Sequence, residues 1–179
     1  LSTSRIYPMD KLNAVPYSEG ATRFAWTGSG EGISANGVTE EFPIAGVRSF
    51  YGASKLASEL VLQEYAYAYG VKALINRCGV IAGPWQMGKV DQGLVALWVA
   101  RHVFGKPLSY NGWGAIGKQV RDVMHVDDVA ALLLKQCASL TNWDGRVYNV
   151  GGGPAVSTSL VELTALCQEI TGKKIPISA

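Results

Sequence analysis

Tyr51 and Lys55 are the residues of this chain whose types and spacing best suit chemistry. They bound the pentapeptide Tyr51-Gly52-Ala53-Ser54-Lys55, which opens a long segment with helical apolar spacing. Residues four apart on a helix share a face, so the spacing sets a Lys ammonium one turn from a Tyr hydroxyl. A free Tyr titrates at about 10 and a neighbouring cation favours the phenolate, each tenfold gain in acidity being worth about 1.4 kcal/mol. A Tyr with such a neighbour can remove a proton from a sugar or alcohol hydroxyl near neutral pH. The same spacing also occurs as a solvated Tyr/Lys pair on an ordinary helix, and the two residues alone do not choose between these readings.

Positioning them is the work of the surrounding elements. Leu56, Ala57, Leu60, Val61, Leu62 and Tyr65 give residues 51–69 a wide apolar helix face, and Gly70 ends the helix as a C-terminal glycine should. A buried strand is expected over 71–76, a helix over 92–104, a short strand over 107–110 and another strand over 119–124. Asp127 or Asp128 is expected to cap a helix running to about Leu140. A strand over 146–150 follows, and Ser159 with Glu162 forms a capping box for a helix ending near Gly172. This alternation predicts an α/β fold, a parallel sheet with covering helices. Residues 8–50 read as a long loop-rich excursion with a small hairpin turning at 28–32. Loops of that length are more often functional than idle.

Composition narrows the function classes. With 48% hydrophobic and 17% charged residues the chain is globular, and a net charge of +2 argues for neither nucleic acid nor a membrane surface. Nothing approaches a run of 18 apolar residues, so no membrane-spanning helix is expected. Cys78, Cys137 and Cys167 show no CxxC pairing and suit buried free thiols in a reducing cytoplasm. His102 and His125 lack metal-ligand spacing. The chain begins at Leu1 without Met and ends in a strand-like segment reaching Ala179, which reads as a piece of a longer protein.

One motif is a decoy. Gly112-x-Gly114-x-x-Gly117 matches the dinucleotide fingerprint, whose mechanism needs a strand before the turn and a helix after it. Here a strand follows, so the segment reads as a flexible turn near a ligand. Glycines 151–153 likewise precede no immediate helix and read as a turn.

Four motifs occur in one order: Thr3-Ser4-Arg5-Ile6-Tyr7, Tyr51 with Lys55, the Gly83-Pro84 turn, and Arg121-Asp122 through His125 to Asp128. Together they resemble the extended short-chain dehydrogenase/reductase family, the NAD-dependent nucleotide-sugar epimerases and dehydratases. Lys118-Gln119-Val120-Arg121, Gln86 and Asp91-Gln92-Gly93 most resemble the branch of CDP-paratose (CDP-tyvelose) 2-epimerases, and the long insertion before Tyr51 suits that branch.

The resemblance implies a C-terminal part of a Rossmann-like parallel sheet, with part of a small substrate-binding domain. Residues 1–89 and 119–150 would belong to the first, 90–118 and 151–179 to the second. It implies Tyr51 as the acid/base on the sugar hydroxyl. Lys55 would lower its pKa and bind the nicotinamide ribose, and Thr3 would donate a hydrogen bond to the reacting oxygen. Ser4 and Arg5 stand where 4,6-dehydratases carry an Asp-Glu pair, which favours epimerisation over loss of water. Arg121 would pair with the substrate diphosphate, and Gln86 and Gln119 would contact sugar or base.

Bland roles stand beside these. Thr3 at a strand end can satisfy backbone groups, and Arg121 can pair with Asp122 or Asp128. His125 reads as structural, and Trp85, Trp98 and Trp113 as core or interface.

The family's glycine-rich NAD loop and the acidic residue for the adenosine ribose find no counterpart in these residues. The chain alone is therefore expected to bind NAD weakly or not at all and to be catalytically silent. The alternatives are a non-catalytic sugar-nucleotide-binding or structural fragment, or one half of a split enzyme. Partners implied are a nucleotide-diphosphate sugar and a second copy of the chain, since helix 51–69 resembles the family's dimerisation helix.

Overall fold

The computed structural model describes residues 1–89, 92–139, 141 and 143–178 of the chain. Asp91, Leu140 and Ala179, named above, lie outside the described residues, as does the side chain of Trp113.

The first half of the chain runs β1 (Ser2–Thr3), a 3-10 turn (Ser4–Ile6), α1 (Met9–Asn13), β2 (Tyr17–Glu19), β3 (Phe24–Trp26), β4 (Ile33–Ser34), β5 (Gly37–Val38) and α2 (Phe50–Tyr69). It continues through β6 (Ala73–Cys78), β7 (Val80–Ala82), α3 (Leu94–Val103), β8 (Leu108–Ser109), β9 (Val120–Arg121), β10 (Val123–His125) and α4 (Val126–Cys137). Last come β11 (Asp144–Val150), β12 (Thr158–Ser159), α5 (Leu160–Thr171) and β13 (Ile177–Ser178). No described helix is long and apolar enough to cross a membrane.

The central sheet is parallel, in the order β1-β6-β11, with Thr3 opposite Cys78 and Val150 opposite Cys78 on the other side. β6 is the middle strand and is buried almost throughout, as expected of a parallel strand covered on both faces. Beyond its end, β7 pairs in parallel with β10, and β9 pairs antiparallel with β12. One core gathers Trp98, Leu108, Leu160, Leu163, Cys167 and Ile175 between α3 and α5. A second gathers Ile6, Tyr7, Ile33 and Phe42 beneath the excursion. The α/β fold with a parallel sheet is as the alternation predicted.

α2 is capped by the Ser49 hydroxyl and closed by Gly70 at φ 65°. Its wide apolar face is only partly covered. Leu60, Val61 and Tyr65 are more than half exposed, at 52, 56 and 53%, while the buried positions are Gly52 and Glu59. Arg77 on β6 points at the helix, its Nη2 lies 2.8 Å from Glu59 Oε2, and both side chains are buried.

Further expectations need correction. The excursion turns as two hairpins, β2–β3 and β4–β5, on either side of the 28–32 segment. The helix after β10 is capped by His125, whose Nδ1 accepts from Asp127 N, while Asp127 and Asp128 lie in its first turn. The 119–124 strand breaks at Asp122, whose carboxylate accepts from Gly152 N and Gly153 N at 2.8 and 3.0 Å. Cys78 and Cys167 are buried thiols but Cys137 is exposed. Trp98 is core, whereas Trp85 is 94% exposed.

The β2–β3 hairpin is tied to the start of α5, where the Ser159–Glu162 capping box forms as the sequence suggested. Arg23 Nε donates to Glu162 Oε1 at 2.7 Å, and Ser159 Oγ donates to Thr22 O at 2.7 Å. The Arg23 hydrogen bond holds the Glu162 carboxyl down at about 2, against its ordinary 4.5. A depressed carboxyl contributes stability in full above its unfolded pKa and loses it as pH falls through the folded one. The tether is thus expected to persist to about pH 4.5 and to weaken from there towards pH 2. Urea midpoints of wild type and Glu162→Gln should converge across that window. Parallel pH profiles would remove Glu162 as the cause.

Candidate active site

The site is built at the end of β1. Thr3 is buried and its Oγ1 accepts from Arg5 N at 3.2 Å, capping the 3-10 turn. The first turn of α2 is seated on that turn with no room to spare. A methyl group added at Gly52 would stand 2.1 Å from the Arg5 carbonyl oxygen. The absent side chain at Gly52 thus brings Tyr51 close to the Thr3–Arg5 segment. Gly52→Ala is expected to lift the helix off the turn and to destabilise the chain by about 1–3 kcal/mol through overpacking. Chemical denaturation measures this, and an unchanged midpoint would mean the helix is not held there.

Lys55 reaches the same corner from one turn further on. Its Nζ donates to Leu1 O at 2.7 Å. Burial pushes the Cys78 thiol up, while the N-terminal ammonium and the Lys55 charge pull it the other way. Lys55, Thr3 and the end of β6 therefore share one locality. Tyr51 is 58% exposed and its hydroxyl has no hydrogen-bond partner among the described residues. Lys55 thus sits by the end of β1 with its ammonium engaged by the Leu1 carbonyl, and Tyr51 stands beside Gly52 in the helix turn seated on Arg5.

Gln119 and Arg121 form a second group. Arg121 Nη1 donates to Val120 O at 3.1 Å, and no carboxylate pairs with it among the described residues. Asp122 is turned to the glycine turn, so the ion pair that the sequence left open does not form. Burial first, then the neighbouring Arg5 charge, holds the Arg121 guanidinium below its ordinary pKa. A partly desolvated guanidinium without a counter-charge is suited to a phosphate or carboxylate. Gln119 is buried, with Nε2 donating to Asn111 O at 3.0 Å. Gln86 stands apart from both groups. It is exposed and donates to Ile81 O at 3.1 Å.

The Gly112–Gly117 segment forms a 3-10 turn over Trp113–Ala115 and leads to β9, not to a helix. Its rejection as a dinucleotide loop holds. A cavity of about 380 Å³ at the far end of α2, lined by Tyr67, Gly70, Trp143 and Asp144 among others, contains none of the site residues.

Sequence reasoning missed the residues behind the site. Arg77 Nη1 donates to Tyr7 Oη at 3.1 Å, Tyr7 Oη donates to Asn149 Oδ1 at 2.7 Å, and Ser2 Oγ donates to Glu59. This buried chain joins α2, β6, β11 and the segment after Thr3. The signal was a carboxylate within the apolar spacing of 51–69 and a lone Arg in an apolar strand.

A parallel sheet with a Tyr–Lys helix seated at the end of its first strand defines a short-chain dehydrogenase/reductase. Residues 6–151 match the NAD dependent epimerase/dehydratase family, and the chain belongs to it. It is 30% identical to the CDP-paratose 2-epimerase of Salmonella typhi over 173 residues, covering 94% of this chain and 48% of that protein. The UDP-glucose 4-epimerase of Thermus thermophilus in complex with NAD matches with TM-score 0.64 and 31% identity, over 77% of this chain and 43% of that one. The dTDP-glucose 4,6-dehydratase of Bacillus anthracis in complex with NAD matches with TM-score 0.67 and 26% identity, over 99% and 48%. The chain spans about half the length of the curated relatives it matches first.

Proposed function

We propose that this chain carries the proton-transfer and substrate-binding residues of an NAD-dependent nucleotide-sugar epimerase acting on C2 of a CDP-linked dideoxyhexose, as a CDP-paratose 2-epimerase does. The seating of the Tyr51–Lys55 turn on the Thr3–Arg5 turn carries the reading. Supporting it are an exposed Tyr51, a Lys55 ammonium that reaches the Leu1 carbonyl and a Thr3 hydroxyl that caps the adjoining turn.

Tyr51 takes the proton of the sugar hydroxyl as the carbinol becomes a ketone, and returns it when the carbonyl is reduced from its other face. Thr3 Oγ1, which accepts from Arg5 N at the buried strand end, donates its own proton to the reacting oxygen. Lys55 holds positive charge beside the phenolate that forms. Arg121 grips the diphosphate, and Gln86 and Gln119 contact sugar or base. Ser4 and Arg5 place no carboxyl beside the sugar, which favours epimerisation over elimination of water.

NAD supplies the hydride acceptor and donor when bound. The exposed Tyr51 phenol and the Lys55 ammonium suit its nicotinamide ribose. Gly112–Gly117 leads to a strand and Gly151–Gly153 to β12, so neither opens a helix to receive its pyrophosphate. On their own, then, these 179 residues turn nothing over. The test incubates the chain with NAD⁺ and CDP-paratose, with and without a glycine-rich cofactor half supplied as a second polypeptide. Epimerised product only with the second polypeptide supports the reading. Product from the chain alone overturns its silence, and no product in either case overturns the epimerase assignment.

The outward face of α2 is the proposed contact with a second copy. Leu60, Val61, Tyr65 and Tyr69 are all more than half exposed on it, and exposed apolar patches of this kind mark association sites. Sedimentation is expected to show a dimer that Val61→Glu dissociates. A monodisperse wild-type monomer would refute it.

A further inference from the structure

The glycine segment that holds no dinucleotide covers an unused acceptor. Gln119 is 7% exposed, and its Nε2 is committed to Asn111 O. A backbone carbonyl only accepts hydrogen bonds, so the amide cannot be turned round and Oε1 is fixed on the other side. That oxygen is buried and has no hydrogen-bond partner among the described residues. Native interiors rarely leave such a group unmatched, because the solvation it lost is not replaced.

Two neighbours say what it faces. Side chains two apart on an extended segment leave the same face about 7 Å apart, which places Gln119 alongside Arg121. Above them runs the glycine segment. A methyl group at Gly112 would stand 3.3 Å from Gln119 Nε2. Gly112, Gly114, Ala115 and Gly117 all adopt positive φ, at 76, 72, 56 and 70°. Three glycines in that region let the backbone lie this close and change shape at little steric cost.

We infer that Gln119 Oε1 accepts a hydrogen bond from an N–H or O–H donor on the substrate's nucleoside, next to the diphosphate on Arg121, when the 112–117 segment lifts to admit it. This rests on the nucleotide-sugar reading above. The donors a pyrimidine nucleoside offers are the exocyclic amine of cytosine, the N3–H of uracil and the ribose hydroxyls, and CDP offers the first and the last of these. The O4 of uracil is an acceptor and gains nothing from Oε1.

The test titrates CDP, UDP and 2′-deoxy-CDP into the full chain and into Gln119→Met, which is close in volume and lacks the acceptor. Gln119→Met is expected to weaken CDP binding about fivefold to tenfold. A loss shared by CDP and 2′-deoxy-CDP alone assigns the amine as donor. One shared by CDP and UDP alone assigns the 2′-hydroxyl, and one common to all three assigns the 3′-hydroxyl or a base edge on which uracil N3–H takes the place of the cytosine amine. Unchanged affinities for all three overturn the inference and leave the nucleotide-sugar reading standing. A wild-type chain that binds none of them removes that reading and this inference with it. Should Gln119→Met fail to fold, the ¹³Cδ resonance of Gln119 in the wild type serves instead. It is expected to move on saturation with CDP, and a resonance that stays in place while CDP binds overturns the assignment.

Discussion

Replacing Arg77 by Met is expected to lower the unfolding free energy of this chain by about 3–5 kcal/mol, the loss typical of removing one partner from a buried ion pair. Arg77 and Glu59 are 6% and 4% exposed, so a Glu59 carboxylate left alone has no water to turn to. The pair is also doubly bonded, with Arg77 Nε 3.1 Å and Nη2 2.8 Å from Glu59 Oε2, and the remaining guanidinium nitrogen is engaged by Tyr7. From Tyr7 the bonds run through Asn149 to the Val38 carbonyl. Truncation thus strips support from α2, β6, β11 and the β4–β5 hairpin together. Urea denaturation followed by circular dichroism measures the loss. The double variant Glu59→Leu with Arg77→Met is expected to recover most of it, because an apolar pair of similar volume carries no desolvation penalty. If both single variants unfold with wild type, the network is not what holds the helix to the sheet.

That network marks the limit of what the residues alone disclose. The α/β fold, the termination of α2 by Gly70, the capping box of α5 and the rejection of Gly112–Gly117 as a cofactor loop all follow from local rules. Periodicity, a left-handed glycine and reciprocal capping each act within a few residues. The inward face of α2 does not follow so simply. Apolar spacing gives the helix a wide apolar face, yet the sheet presents Arg77 to it, and Glu59 is the helix residue that meets it. That pairing spans 18 residues of sequence, and the local signals at Glu59 and Arg77 do not say that the two meet. The His125 cap was likewise hidden, since Asp is among the commoner cap residues and two aspartates stood beside it. The site divides the same way. Tyr51 and Lys55 announce themselves by spacing, but their approach to Thr3 depends on the missing side chain of Gly52 and the carbonyl of Arg5. Arg121 is legible as a guanidinium. That it lacks a carboxylate partner follows only from Asp122 being held by Gly152 and Gly153.

Tyr51→Phe is expected to separate catalysis from structure in a way the Arg77 variant cannot. The Tyr51 phenol is 58% exposed and bonded to nothing described. Deleting its oxygen is therefore expected to leave the urea midpoint within about 0.5 kcal/mol of wild type, as for surface changes away from special features. On the proposed epimerase reading, in a form that carries a cofactor-binding half, the same deletion would remove the group that accepts the sugar proton. Positioned acid–base groups contribute about 10²–10⁴ in rate, so kcat is expected to fall by that factor while nucleotide-sugar affinity holds. Lys55→Met is expected to lower kcat as well, because it removes the cation one helical turn from Tyr51. Thr3→Val should reduce kcat by less than Tyr51→Phe, since it loses one hydrogen bond to the reacting oxygen and keeps the proton acceptor. A Tyr51→Phe enzyme with wild-type kcat would remove Tyr51 as the proton acceptor. The seating of α2 on the Thr3–Arg5 turn would then have to be explained as packing alone.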